Sequence, residues 1–383
     1  MVTDQKFDSI RPYRDHEMKE VFEQLMKEES FKRLLLYLFP QIPIDSFTNK
    51  LLSLKTIKEF QIEIIYPFIK DIIKKTTHGL SCEGLDKLDP SKSYIFISNH
   101  RDIVLDSAFL NILLHDHSHD TCEIAIGDNL LIYPWITKLV KLNKSFIVKR
   151  NLPARQMLMS SKLLSEYIRY DITERNSSIW IAQREGRSKD GDDRTQSSLL
   201  KMLDLSGNRN FEESFKELQI VPIAISYEYD PCDYLKAHEA LLKKENPDYK
   251  KTQEDDLKHM GAGIKGRKGR VHFKVGTPIK NELKPLAALD KNEQISGLAE
   301  LIDEQIHNNY KLWPGNFIAA DIINANNNFK NKYTKEDVVT FHEYIDEHIS
   351  RLDKSADAVF IKNTLMEMYA NPVKNFYKEL SRI

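Results

Sequence analysis

Cysteine is scarce in this chain of 383 residues, which contains only Cys82, Cys122 and Cys232. An odd number of widely spaced cysteines is not the pattern of a disulfide framework, and it favours a reducing compartment. Long apolar runs are also missing. No stretch of about 18 apolar residues occurs, so we expect no membrane-spanning helix. Residues 1–19 are polar and show no signal-peptide pattern.

An excess of charge of either sign is absent too. The 56 Lys and Arg residues balance 57 Asp and Glu residues, which leaves a net charge of -1. The molecule as a whole would then not attract nucleic acid, and an anion site would have to be a local cluster of cations. We therefore expect no nucleic-acid partner. The apolar share of 41% is enough for a substantial core and excludes global disorder.

The order of predicted elements divides the chain into three parts. Residues 1–80 and residues 311–383 carry helical patterns, which predict helical extensions at both ends. Residues 81–310 alternate short apolar runs with amphipathic segments, which is typical of an α/β domain with a mainly parallel sheet covered by helices. The predicted strands lie at 94–98, 123–126, 145–148, 178–182, 220–226 and 271–275.

Three segments allow two interpretations each. Residues 18–39 and 51–73 have many apolar residues at helical spacing, so they predict either a helix pair packed on the next domain or a membrane-docking pair. Residues 261–270 are basic and glycine-rich, which indicates a mobile loop or a contact with anionic headgroups or carrier phosphates.

The most informative segment is residues 98–107, which follows a predicted buried strand and opens a helix. It contains His100, Asp102 and Asp106. A histidine at the carboxyl end of a strand can accept a proton from a hydroxyl, and a nearby carboxylate can orient and stabilise it. The alternative is a histidine that only caps or packs.

Cations follow two other predicted strands. Residues 183–191 contain Arg184, Arg187 and Lys189 around Gly186, a composition suited to an anion site, although a solvated charged loop is the alternative. Lys149 and Arg150 end the strand at 145–148 and could extend the same site. The strand at 220–226 is interrupted by Pro222, which by itself indicates an edge strand or a bulge.

In this order, the four segments resemble the four motifs of the glycerolipid acyltransferase family, which includes lysophosphatidate and glycerol-3-phosphate acyltransferases. The resemblance covers roughly residues 90–280 and implies a glycerol-phosphate acyltransferase-like fold. Two departures stand out. Five residues separate His100 from Asp106 where the family has four, and Arg184 replaces the usual proline in a loop that is one residue shorter. We assign the carboxylate role to Asp106 because the residues around it match the family motif.

The resemblance implies a mechanism without a covalent enzyme intermediate. His100 would be the general base and Asp106 its partner, while an acceptor hydroxyl attacks the thioester of acyl-CoA or acyl carrier protein directly. Arg150, Arg184, Arg187 and Lys189 would hold the acceptor phosphate, and Glu185 and Gly186 would shape that loop. No cofactor and no metal is implied.

The acceptor implied first is lysophosphatidate, with glycerol 3-phosphate as the alternative. We expect the protein to act in phospholipid synthesis at the cytoplasmic face of a membrane, as a peripheral protein.

Three other functions are less consistent with the sequence. The letters His100-Arg101-Asp102 occur in protein-kinase catalytic loops, but the downstream Asn, Asp-Phe-Gly and a Gly-rich loop are missing. The His- and Asp-rich residues 115–120 could suggest a metal site, but no partner cluster has ligand spacing. A non-catalytic scaffold that keeps the fold is favoured only by the irregular His–Asp spacing.

Overall fold

The computed structural model describes residues 4–207, 210–353 and 356–381. Its centre is a seven-stranded sheet with the order β1-β7-β6-β2-β5-β3-β4. Every neighbouring pair is parallel except β6 and β7. The strands are β1 (Thr77–Glu83), β2 (Ile95–Ser98), β3 (Glu123–Gly127), β4 (Ser145–Val148), β5 (Ile179–Ala182), β6 (Ile220–Tyr227) and β7 (Gly269–Val275).

Helices precede, cover and follow this sheet. A π-helical turn, Gln61–Ile65, joins the fourth and fifth of them. The first five are α1 (Met18–Leu25), α2 (Glu29–Leu38), α3 (Ile44–Ser53), α4 (Ile57–Phe60) and α5 (Tyr66–Thr76). Between β2 and β7 lie α6 (Leu105–Asp116), α7 (Pro134–Leu142), α8 (Ala154–Thr173), α9 (Ser197–Asp204), α10 (Phe211–Glu217), α11 (Asp233–Glu245) and α12 (Gln253–Lys265). The last are α13 (Leu283–Leu286), α14 (Lys291–Asn308), α15 (Pro314–Ile323), α16 (Lys335–Ser350) and α17 (Ala358–Leu380).

Both faces of the sheet are buried, which explains why its central strands are continuous apolar runs. In β2, Ile95 and Ile97 point into a core shared with α8, α9 and α14. Phe96 points into the opposite core, which α5 and α6 complete. The predicted α/β class, with a mainly parallel sheet covered by helices and helical segments at both ends, is confirmed.

All six predicted strands are present, but the sequence analysis missed β1. The prediction that residues 1–80 are helical is wrong from Thr77 onward, where β1 begins. This strand lies at the edge of the sheet and is half-exposed, so its Thr, Gly and Ser residues give no continuous apolar run. The strand's sequence therefore carried little of the signal that marks a buried strand.

Pro222 does not mark an edge strand, because β6 lies between β7 and β2. The ladder with β7 covers Ile223–Tyr227 and therefore starts after the proline. The Pro222 carbonyl accepts a hydrogen bond from the Gly276 amide, 2.8 Å away, on the β7 side. A residue's N–H and C=O point to the same side of a strand, so an N–H at Pro222 would also face the β7 side, just beyond the end of the ladder. The proline therefore removes no hydrogen bond from the ladder between β6 and β7.

The basic, glycine-rich stretch 261–270 is not a mobile loop. It comprises the end of α12 and the start of β7. A Cβ added to Gly263 would lie 2.0 Å from the Asp102 carboxylate, so glycine lets the helix approach that side chain closely. Lys268 is fully buried. The interpretation of this stretch as a headgroup contact stays untested.

The terminal segments have cores of their own and also contact the sheet. Helices α1 to α4 form a cluster that includes Leu142 of α7, while Phe7 and Ile10 lie in the main core. Helices α15 to α17 pack with Tyr229, just after β6, and with α11. The division at residues 80 and 310 stays a prediction. Among the described residues, no helix combines the length and the apolar character that crossing a bilayer requires.

Candidate active site

His100 and Asp106 form a hydrogen-bonded pair at the carboxyl end of β2. The distance between His100 Nδ1 and Asp106 Oδ2 is 2.8 Å. Asp106 is fully buried in the first turn of α6, while 13% of the His100 side chain is exposed. With Nδ1 donating to the carboxylate, Nε2 is the nitrogen that can accept a proton from a bound hydroxyl.

The backbone also stabilises the negative charge of Asp106. Its Oδ2 accepts hydrogen bonds from the amides of Arg101, at 2.6 Å, and Asp102, at 3.0 Å. The N-terminal end of a helix further favours a carboxylate at this position. These contacts fix the Asp106 carboxylate in position next to the His100 ring.

Asp102 has a different task. Its Oδ1 accepts the amide hydrogens of Val104, at 2.9 Å, and Leu105, at 2.8 Å, and so satisfies the free donors at the start of α6. Burial raises the pKa of Asp102, and the nearby charge of Asp106 raises it further. The additional residue of this loop is therefore accommodated before the helix, and the His100 ring pairs with Asp106.

Two aromatic residues border the pair. The ring of Trp180 packs edge-on against His100 with centroids 5.6 Å apart, and its Nε1 donates to Ser98 Oγ at 2.9 Å. The buried hydroxyl of Tyr227 lies close to Asp106. Burial, followed by the charge of that carboxylate, raises the tyrosine pKa well above its ordinary value. Sequence reasoning missed both residues, since each belongs to a plain strand pattern.

The side chain of Asn99, the residue before His100, forms hydrogen bonds with the backbone of β6. Its side-chain Oδ1 accepts from the Ile225 amide at 2.7 Å, and its Nδ2 donates to the Ile225 carbonyl at 2.9 Å. Asn99 is fully buried. The side chain therefore continues the pairing of β2 with β6 past the last strand residue and fixes where the loop with His100 begins.

Arg184 follows β5, which pairs with β2, and lies at the same end of the sheet as His100. Ser98 and Ala182 are paired across β2 and β5, and His100 and Arg184 each follow two residues later. Within the described part of the chain, the Arg184 side chain forms no hydrogen bond or ion pair, and its Nε is buried without a partner. Its guanidinium is thus available to a ligand.

Arg150 and Glu185 form an ion pair that joins two of the sequence motifs. The Arg150 amide also donates to Asp128 Oδ1 at 3.1 Å. Glu185 is largely exposed, so this pair can open in exchange for an anionic ligand at modest cost. Gly186 follows with a φ of +71°, which glycine adopts without strain.

The other two predicted phosphate ligands have partners within the protein. Arg187 is buried, and its Nη2 donates to His259 Nδ1 at 2.7 Å. Burial and the adjacent arginine lower the pKa of His259 to about 2, so it stays a neutral acceptor. Lys189 forms an ion pair with Glu239, which also pairs with Lys243. Arg187 Nη1, like Arg184 Nε, is buried without a hydrogen-bond partner, so both arginines keep a donor for a ligand, whereas Lys189 is held by Glu239.

A buried ion pair that sequence reasoning missed lies next to His100. Arg101 donates to both carboxylate oxygens of Asp193, at 3.1 and 2.6 Å. Asp193 is fully buried, and this pairing raises the pKa of Arg101 despite the cost of burial. No sequence pattern distinguishes Asp193 from its neighbours Asp190 and Asp192.

The cysteines do not offer a nucleophile. Cys122 and Cys232 are buried, and burial raises the pKa of all three thiols to about 12. The thiolate form, which is the reactive one, is therefore suppressed. The described residues include no cluster of His, Cys, Asp and Glu that could hold a metal ion.

Comparison with known proteins agrees with this geometry. The profile of the protein family described as Acyltransferase matches residues 79–226, the segment that contains His100, Asp106, Arg150 and the loop with Arg184. Residues 79–226 therefore match an acyltransferase domain. The predicted resemblance to acyltransferases is confirmed for this segment.

A solved structure similar to this chain is the crystal structure of the 1-acyl-sn-glycerophosphate (LPA) acyltransferase, PlsC, from Thermotoga maritima. The two chains are 11% identical, with a TM-score of 0.38, over 75% of this chain and 92% of the other. No curated protein matches the chain.

Proposed function

We propose that this acyltransferase moves a fatty acyl group from acyl-CoA or acyl carrier protein to the free hydroxyl of lysophosphatidate. The observation that carries the proposal is the unpaired guanidinium of Arg184 beside the His100–Asp106 pair. A general base and a phosphate ligand at adjacent strand ends suit an acceptor that bears both a hydroxyl and a phosphate.

The transfer would use the His100–Asp106 pair as the base and its partner. His100 Nε2 removes the hydroxyl proton as the acceptor oxygen attacks the thioester carbonyl carbon. Asp106 stabilises the imidazolium that forms. The tetrahedral adduct collapses with cleavage of the C–S bond, and the leaving thiolate takes the proton from His100. No enzyme nucleophile is required, which agrees with the suppressed thiolates.

The acceptor phosphate would be held mainly by Arg184. Arg150 would contribute after exchanging Glu185 for the phosphate, and Glu185 would then be free to accept a hydrogen bond from an acceptor hydroxyl. Arginine suits this role because its planar donors bind phosphate oxygens in a bidentate manner. Lys189 would act through the shape of the loop, since it pairs with Glu239, while Arg187 would offer its unpaired Nη1.

An acceptor that already carries an acyl chain is supported by exposed apolar residues on α2. Leu36 and Tyr37 are 47% and 64% exposed. The Lys265 ammonium of α12 lies 5.0 Å from the Tyr37 ring centroid, and α12 packs on Asp102 through Gly263. Apolar side chains next to the helix that covers the catalytic loop suit a peripheral site at a membrane surface. The unpaired cysteines support a site on the cytoplasmic side.

The test measures acceptor-dependent thiol release from a long-chain acyl-CoA, first with lysophosphatidate and then with glycerol 3-phosphate. Wild type and His78→Ala, an exposed histidine on β1, should release thiol with lysophosphatidate, whereas His100→Ala should not. Faster release with glycerol 3-phosphate would assign that acceptor instead. Equal release by His100→Ala, or none from wild type with either acceptor and either donor, would refute the proposal.

A further inference from the structure

The C-terminal helix α17 holds the loop that carries Arg184. This loop, residues 183–196 between β5 and α9, is called the β5–α9 loop here. Asn371 Nδ2 donates to the Asp190 carbonyl at 2.7 Å. Asn375 Nδ2 donates to Asp192 Oδ1 at 3.0 Å, and Asn375 Oδ1 accepts from Arg194 Nη2 at 3.1 Å. Asn371 and Asn375 are one helical turn apart, so both face the loop.

The loop and the helix also touch through their backbones. Gly191 has a φ of +73°, and a Cβ at this position would lie 2.2 Å from the carbonyl oxygen of Met368. Only glycine allows so close an approach in this conformation. The sequence therefore fits the loop to this particular helix surface.

Packing alone does not fix the loop on its inner side. A cavity of about 40 Å³ lies there, lined among others by Ser188 and Arg101 and by Met368, Tyr369 and Pro372 of α17. Because side chains do not fill this space, the polar contacts with Asn371 and Asn375 carry more of the task of positioning the loop.

The loop is in turn connected to the catalytic histidine. The Ser188 amide donates to the His100 carbonyl at 3.2 Å. The Asp193 carboxylate accepts hydrogen bonds from Arg101, the residue after His100, and also from the Asn99 side chain and the Tyr310 hydroxyl. The Asp193 carbonyl lies 2.8 Å from His307 Nε2 at the end of α14. Movement of the loop relative to α17 would therefore alter the separation of Arg184 and His100.

We propose that Asn375, assisted by Asn371, is a positioning residue that sets the affinity for the acceptor by holding the β5–α9 loop against α17. Acceptor selection then depends on a helix that lies outside residues 79–226, the part that matches the acyltransferase family. The inference rests on the proposed function for the identity of the ligand. The part that concerns loop position stands on the contacts alone.

The experiment compares Asn375→Ala with Asn363→Ala, which changes an exposed asparagine on the same helix. Losing the two Asn375 contacts should raise the KM for lysophosphatidate about tenfold, while kcat and the KM for acyl-CoA stay within about twofold of wild type. Asn375→Asp should raise the KM for lysophosphatidate as much as Asn375→Ala does, because its carboxylate would face the carboxylate of Asp192. Combining Asn375→Asp with Asp192→Asn exchanges donor and acceptor and should restore the KM.

Amide hydrogen exchange of residues 183–196 separates this inference from the proposed function. Asn375→Ala should exchange faster than wild type in this loop, and Asn363→Ala should not. Unchanged exchange, or an acceptor KM equal to that of Asn363→Ala, would overturn the positioning role. If wild type acylates neither acceptor, the proposed function fails, and the exchange experiment still decides whether α17 positions the loop.

Discussion

Asp106 Oδ2 lies 2.8 Å from His100 Nδ1, although five residues separate the two in the sequence. Asp102 lies between them in the chain and is also buried, yet its Oδ1 caps the start of α6. The loop thus holds two carboxylates with separate tasks, one for the histidine and one for the helix. The hydrogen bonds of the two carboxylates therefore show which one pairs with His100, which the irregular spacing in the sequence did not.

Replacing these two carboxylates should have very different effects on the rate. Asp106→Asn should lower kcat about 10³- to 10⁴-fold, because the amide cannot stabilise the imidazolium and can hold the wrong tautomer. Asp102→Asn should change kcat by less than about tenfold, since asparagine caps helices as well as aspartate does. Thiol-release kinetics of both variants decide between the roles. Equal losses would show that the assignment of Asp106 as the partner of His100 is incomplete.

Arg184 should govern acceptor binding and not the chemical step. Removing one charge-assisted contact, worth about 1.5–3 kcal/mol, should raise the KM of Arg184→Ala for lysophosphatidate about 10- to 100-fold with a similar kcat. Arg155→Ala, which removes an exposed arginine of α8, should behave as wild type. With a monoacylglycerol, which lacks the phosphate, wild type and Arg184→Ala should be equally slow. A kcat effect without a KM effect would contradict a binding role.

The central part of the fold could be predicted from the sequence because buried parallel strands are compact apolar runs. The run at 145–148 matches β4 without error, and 220–226 differs from β6 only at Tyr227. β1 was missed because an edge strand needs no apolar face on both sides. Pro222 was misjudged because a single sequence does not show where the ladder with β7 begins.

The site was predictable only to the extent that its residues follow a strand directly. His100 and Arg184 each lie two residues after a strand end, so the parallel sheet brings them side by side. Which cations stay free depends on partners that are distant in sequence, such as Glu239 for Lys189 and His259, which engages only Nη2 of Arg187. No local pattern encodes those contacts.

Asn99 should contribute to stability through the two bonds with Ile225. Asn99→Ala leaves a buried amide and a buried carbonyl without partners, which should lower the free energy of unfolding by about 2–4 kcal/mol. Asn99→Asp should cost more, because it sets a carboxylate beside Asp193, which now lies 3.3 Å from Asn99 Nδ2. Urea unfolding measures both, with Asn363→Ala as the exposed control. A loss below about 0.5 kcal/mol for Asn99→Ala would mean that water replaces both bonds.

Lys268 makes the stability of the fold depend on pH on the alkaline side. Its ammonium is fully buried and donates to Thr76 Oγ1, at 3.0 Å, and to the Gly266 carbonyl, at 2.8 Å, and no ion pair with a carboxylate is found for it in the described residues. Burial lowers the pKa of Lys268 from 10.5 to about 8, with partial compensation by the charge of Asp102. The folded state therefore releases this proton more readily than the unfolded chain does.

Between pH 8 and 10.5 the unfolded chain binds more protons at Lys268 than the folded protein, so this residue's contribution to the free energy of unfolding rises with pH. The slope reaches about 1.4 kcal/mol per pH unit, and below pH 8 the full penalty of the buried charge remains. The cysteine thiols, which stay protonated in the folded state, lower the free energy of unfolding as the pH rises and so oppose the effect of Lys268. The measurement is therefore the difference in the free energy of unfolding between wild type and Lys268→Met. From pH 7.5 to 9.5 wild type should gain about 1–2 kcal/mol relative to that variant, whereas the exposed Lys284→Met should follow wild type. A constant difference between wild type and Lys268→Met across this range would show that Lys268 titrates at its ordinary pKa.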